Sequence, residues 1–126
     1  MKSTLIIYST TDGQTLEICN KIFSKLNVSE SSEITHISKA EGLDLNQFDK
    51  IIIGASIRYG KHKPELYEFI KKNAACLETK ENAFFSVNVV ARKPEKNTPE
   101  TNPYMQKFLE LSPWSPKKLA VFAGKI

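Results

Sequence analysis

Short apolar runs of strand length alternate along this chain with segments whose apolar residues fall at helical spacing, and that alternation restricts the fold to an α/β domain on a parallel sheet. The runs Thr4 to Tyr8, Glu33 to Ser38 (weaker), Lys50 to Ser56, Ala83 to Val90 and Leu119 to Ala123 read as strands. Between them, Thr15 to Leu26 carries Leu16, Cys19, Ile22, Phe23 and Leu26 on one helical face, and a helix opening at Pro64 carries Leu66, Phe69, Ile70, Ala74 and Leu77. Glu41 to Asp49 is an acidic loop with one helical turn. A short helix from Tyr104 to Leu111, with Tyr104, Phe108 and Leu109 inward, follows the capping pair Asn102-Pro103. Strands with no polar alternation are buried on both faces, so the expected architecture is a doubly wound parallel sheet with right-handed crossovers. The 126 residues suffice for one domain, 1–126, with a real core.

Composition removes several functions. No apolar run approaches the roughly 20 residues of a membrane span, and Met1-Lys2-Ser3 leads directly into a strand, so a chain folded in the cytoplasm is expected. Cys19 and Cys76 lie on predicted helices without CxxC spacing, which points to core or half-buried thiols and away from disulfide or metal roles. A formal charge of +4 favours anionic partners, but without a nucleic-acid-binding pattern nucleic acid is not expected among them.

Chemistry concentrates where the first strand ends. Ser9-Thr10-Thr11-Asp12-Gly13-Gln14-Thr15 brings hydroxyls, backbone N–H groups and a helix N-terminus to one point, an arrangement that holds a phosphate. An ordinary strand-to-helix turn rich in capping residues is the plainer alternative. The segment has neither the Gly-Lys-Ser/Thr of a triphosphate loop nor the Gly-x-Gly-x-x-Gly of a dinucleotide fold. A hydroxyl loop without lysine suits a monophosphate, and Tyr8, Thr10, Gly13 and Thr15 resemble the FMN-phosphate signature of flavodoxin-like proteins. That resemblance implies strand order 2-1-3-4-5 and an FMN site beyond the strands' carboxyl ends. Ser56, Ile57, Arg58, Tyr59 and Gly60 would border the flavin ring on one side, and Ser86, Val87, Asn88, Val89, Val90, Ala91 and Arg92 on the other. Arg58, Lys61, Lys63, Arg92, Lys93 and Lys96 lie on these two loops, with His62 between them. Positive charge near a flavin ring favours its anionic reduced form and two-electron chemistry, which suits an enzyme better than a one-electron carrier.

The segments Ile52 to Gly60 and Ser86 to Lys96, continued by Thr101-Asn102 and Trp114 to Gly124, resemble the flavodoxin-like protoporphyrinogen oxidase family of haem synthesis. The resemblance implies oxidation of protoporphyrinogen IX by FMN, reoxidation by a membrane quinone (menaquinone or ubiquinone), and peripheral attachment to the cytoplasmic face of the inner membrane. Arg58, Arg92 and Lys93 are then candidates for the substrate's propionates, and Arg58, His62 and Arg92 for catalysis, with no proton acceptor named. His36 is expected to be structural. A flavodoxin-type electron carrier and an FMN-dependent NAD(P)H:quinone reductase are the alternative readings. Against the family pattern, this sequence is expected to be C-terminally incomplete, lacking the end of strand five and the final helix, which would leave apolar surface open near strands one and three.

Overall fold

The computed structural model describes residues 3–9, 31–40, 45–57, 62, 64–88 and 93–123. Among them are β1 (Ser3–Ser9), β2 (Ser31–His36), a one-turn helix α1 (Ile37–Ala40), β3 (Lys50–Ser56), α2 (Pro64–Glu78), β4 (Glu81–Asn88), α3 (Pro103–Leu111) and β5 (Leu119–Ala123). Single 3-10 turns form at Leu45–Gln47 and Pro94–Lys96. The strands make one sheet in the order β2-β1-β3-β4-β5, and every pair is parallel. The expected helix over 15–26 lies outside the described residues.

Alternate strand residues feed two cores. Leu5 and Ile7, Ile51, Ile53 and Ala55, and Phe84 point to the face covered by α2 and α3, where they meet Leu66, Phe69, Ile70, Leu77, Met105, Phe108 and Trp114. Phe84 and Phe108 stack there with parallel rings, centroids 3.8 Å apart. Each such fully buried side chain contributes about 1.5–3 kcal/mol relative to exposure. On the opposite face Ile6, Phe85 and Val87 are buried, with Tyr8, Ile34, Ile52 and Ala120 packed against them. Gly54, also on that face, leaves room for its cross-strand partner Phe85: a Cβ at this position would stand 1.9 Å from the ring's Cζ.

Three local expectations change. β2 begins and ends two residues earlier than the apolar pattern suggested, because Ile37 and Ser38 already belong to α1. In α3 the buried pair is Met105 and Phe108, while Tyr104 and Leu109 are only half-buried; the Pro103 start sets which residues face the sheet. The opening expected beside strands one and three is absent at Ile6 of β1 and partial at Ile52 of β3. Ile6 is fully buried, and on that face Ile52 is half-buried and Phe122 of β5 exposed.

Side chains also tie the layers together. Asn82 donates from Nδ2 to the carbonyl oxygens of Leu77 and Lys80 (2.9 and 3.1 Å) and accepts at Oδ1 from the Lys117 N–H (2.7 Å). This one buried amide joins the end of α2 to the approach of β5. Cys76 is a free, half-buried thiol. No helix among the described residues is long and apolar enough to cross a membrane.

Candidate functional site

Chain order reverses between β1 and β3, since β2 lies on one side of β1 and β3 on the other. In open α/β sheets that reversal leaves a crevice beyond the strands' carboxyl ends. Three described strand ends reach it. β1 ends at Ser9, whose hydroxyl is buried and donates to Glu65 Oε1 (3.3 Å), and β3 ends at buried Ser56. β4 ends at buried Asn88, and the N–H of Ile57 donates to the carbonyl of Val87 (3.1 Å), so the connections after β3 and β4 start side by side.

Of the residues expected to hold the cofactor, Ser9, Ser56, Ile57, Ser86, Val87 and Asn88 are thus gathered at one end of the sheet. Thr10, Thr11, Asp12, Gly13, Gln14, Thr15, Arg58, Tyr59, Gly60, Val89, Val90, Ala91 and Arg92 lie outside the described residues, as does Cys19. Lys93 is exposed at the start of the 93–102 segment. Glu65 was missed by sequence reading. As a first-turn acid after Pro64 it reads as a helix-dipole partner, and only the packing of α2 against the end of β1 brings it to Ser9.

His62 departs furthest from expectation. Read as a loop histidine among lysines, it is 2% exposed and sits among Tyr67, Phe84 and Phe108, with ring centroids 6.4, 5.8 and 5.9 Å away. Burial among these rings pushes its pKa down from 6.5 to about 4, so the imidazole is neutral at ordinary pH. Its Nε2 lies 2.9 Å from Ser86 Oγ. That oxygen also accepts from Asn88 Nδ2 (3.1 Å), and on the other side of the ring Nδ1 faces Tyr67 Oη at 3.5 Å. The expectation of a catalytic His62 on an open loop is therefore corrected in its location: the aromatic cage, assembled from α2, β4 and α3, takes the ring inside.

The hydrogen bonds continue beyond Ser86. Asn88 Nδ2 also donates to Asn102 Oδ1 (3.2 Å), and Asn102 Nδ2 donates back to Asn88 Oδ1 (2.9 Å) and to the Lys96 carbonyl (2.9 Å). Asn102 Oδ1 accepts from the Tyr104 and Met105 N–H groups (3.1 and 3.2 Å), the helix cap read from the Asn-Pro pair. His36 closes a local turn, with Nδ1 accepting from the Ser38 N–H (3.1 Å), and its ring stands edge-on to Tyr8. A cleft of about 630 Å³ runs between α2 and α3, lined by His62, Pro64, Tyr67, Tyr104, Lys107 and Leu111 among others.

A five-stranded parallel sheet in this order, with its crevice at the β1/β3 reversal, defines a flavodoxin fold. The model of the flavodoxin-domain family matches residues 5–126. Solved structures agree in fold: a flavoprotein from Lactobacillus acidophilus in complex with FMN gives a TM-score of 0.68 at 18% identity, covering 96% of this chain and 93% of that one. A short-chain flavodoxin associated with a bacterial microcompartment gives 0.66 at 16% identity, covering 100% and 87%.

Within the flavodoxins the chain belongs to the family of protoporphyrinogen IX dehydrogenase (quinone). It is 45% identical to that oxidoreductase from Escherichia coli K12 over 124 residues, 98% of this chain and 68% of the relative. The protoporphyrinogen IX dehydrogenase (quinone) of Leishmania major is 40% identical over 97% of this chain and 54% of its own length.

Proposed function

We propose that the chain binds one FMN non-covalently and oxidises protoporphyrinogen IX to protoporphyrin IX, with a membrane quinone, menaquinone or ubiquinone, as acceptor. The observation that carries this reading is the 45% identity to a dehydrogenase of that name, running through 98% of the chain. The described residues suit a flavin nucleotide: the buried hydroxyls of Ser9 and Ser56 end adjacent strands at the crevice, and Asn88 is held beside them at the end of β4. The phosphate would be held by the Thr10 to Thr15 hydroxyls and N–H groups, and the ring bordered by residues 56–60 and 86–92. When bound, FMN supplies the hydride acceptor that no amino-acid side chain offers. The protein's part is position and charge. Arg58, Arg92 and Lys93 would meet the substrate's two propionates, arginine by paired N–H donors, and the basic loops would lie against the cytoplasmic face of the inner membrane.

The purified holoprotein, supplied anaerobically with protoporphyrinogen IX and a soluble quinone, should give protoporphyrin fluorescence at a rate that rises with quinone. Bleaching of the flavin by NAD(P)H with no response to porphyrinogen would favour a quinone reductase instead. Reduction in two well-separated one-electron steps, with neither activity, would favour an electron carrier.

A further inference from the structure

Buried polar side chains bring together three points separate in sequence: His62 in the connection after β3, Asn88 at the end of β4, and Asn102 at the end of the connection that follows. We infer that His62 is a positioning residue, fastening the connection after β4 to the connection after β3 through an unbroken chain of hydrogen bonds, His62–Ser86–Asn88–Asn102. Its members are all at least 97% buried, so water does not compete for these bonds. The links measure 2.9 Å from His62 to Ser86, 3.1 Å from Ser86 to Asn88, and 2.9 and 3.2 Å in the reciprocal Asn88–Asn102 pair. That pair joins Asn88, the last residue of β4, to Asn102, the cap of α3, and Asn102 also grips the segment before it at the Lys96 carbonyl.

Without His62 the reciprocal pair would still join β4 to α3, but the side-chain link from β4 to the preceding connection would be lost. The backbone bond from Ile57 N to Val87 O would remain between that connection and β4. The aromatic cage fixes the imidazole's plane, so the direction of Nε2 toward Ser86 is set by packing with Phe84 and Phe108. His62 is placed to act on the site through Ser86. That the connections it aligns flank a flavin ring rests on the FMN reading above.

Three variants test this: His62→Phe keeps a ring in the cage and removes both nitrogens, Ser86→Ala removes one oxygen, and His62→Gln keeps a group able to bond Ser86. In the chain without flavin, amide hydrogen exchange across residues 93–105 should quicken about tenfold in His62→Phe and in Ser86→Ala, the equivalent of about one lost hydrogen bond. His62→Gln should stay within about threefold of the parent. The dissociation constant for FMN should follow the same pattern, and the His62→Phe/Ser86→Ala double variant should be little worse than the weaker single one, because both cut the same chain. Unchanged exchange in both single variants, or fully additive effects, would overturn the inference. Faster exchange with unaltered FMN affinity would also overturn it, leaving the chain of bonds a fold-stabilising feature. If His62→Phe does not fold, Ser86→Ala decides alone. A parent chain that binds no FMN would defeat the flavin reading, while the exchange rates would still decide the fastening.

Discussion

Acidification from neutral pH should destabilise this protein through His62. The folded imidazole has its pKa at about 4 against an ordinary 6.5, so the unfolded chain takes up the proton first. Stability from this group is complete above about pH 6.5 and is lost as pH falls toward 4. Its cause is the desolvation of a cation among Tyr67, Phe84 and Phe108; Glu68 and Lys107 also line the cleft that His62 borders. A gap of about 2.5 in pKa corresponds to about 3.4 kcal/mol at full protonation, of which about 1.3 kcal/mol falls between pH 7.5 and 5.5. Urea unfolding followed by fluorescence of the single, buried Trp114 at those two pH values measures it directly. His62→Phe, with nothing to protonate, should lose almost none of that increment, and the difference between the two proteins isolates the imidazole from every carboxylate. Equal losses in parent and variant would refute the argument that burial holds this ring neutral.

The remaining predictions concern packing, capping and the ligand. Gly54→Ala puts a methyl into the Phe85 ring and should cost about 1–3 kcal/mol in denaturant unfolding, since Phe85 is itself buried. Asn102→Ala removes a helix cap and leaves Asn88 without its reciprocal partner, so about 2–4 kcal/mol should be lost, against about 1 for a cap alone. Thr10→Ala and Thr15→Ala should each weaken FMN binding by about 1–3 kcal/mol in a fluorescence titration, and unchanged affinity in both would remove the phosphate-loop assignment. Arg58→Gln and Arg92→Gln should leave FMN bound while lowering kcat/KM for protoporphyrinogen by about 10-fold or more, a charge-assisted hydrogen bond being worth about 1.5–3 kcal/mol.

Much of the architecture was legible because it is written in local periodicity. Continuous apolar runs such as Leu5-Ile6-Ile7, buried on both faces, suit a parallel sheet covered on each side, and the Pro64 and Asn102-Pro103 signals marked helix starts that the structure keeps. What Gly54 makes room for, the ring of Phe85, comes from the neighbouring strand and is not written in the run itself.

The sequence by itself determined the fold class, the strand order through family resemblance, and which strand ends carry hydroxyl and amide groups. Tertiary structure alone decided what those groups do. His62 looks like one more polar residue of a basic loop until α2, β4 and α3 close three rings around it, and Ser86 looks like a strand residue until that closure puts its hydroxyl between His62 and Asn88. Glu65 likewise meets Ser9 only across 56 residues of chain. Periodicity reports which face of an element is apolar, because that preference acts residue by residue. Burial of a polar group depends on partners supplied by other elements, and no local pattern encodes them.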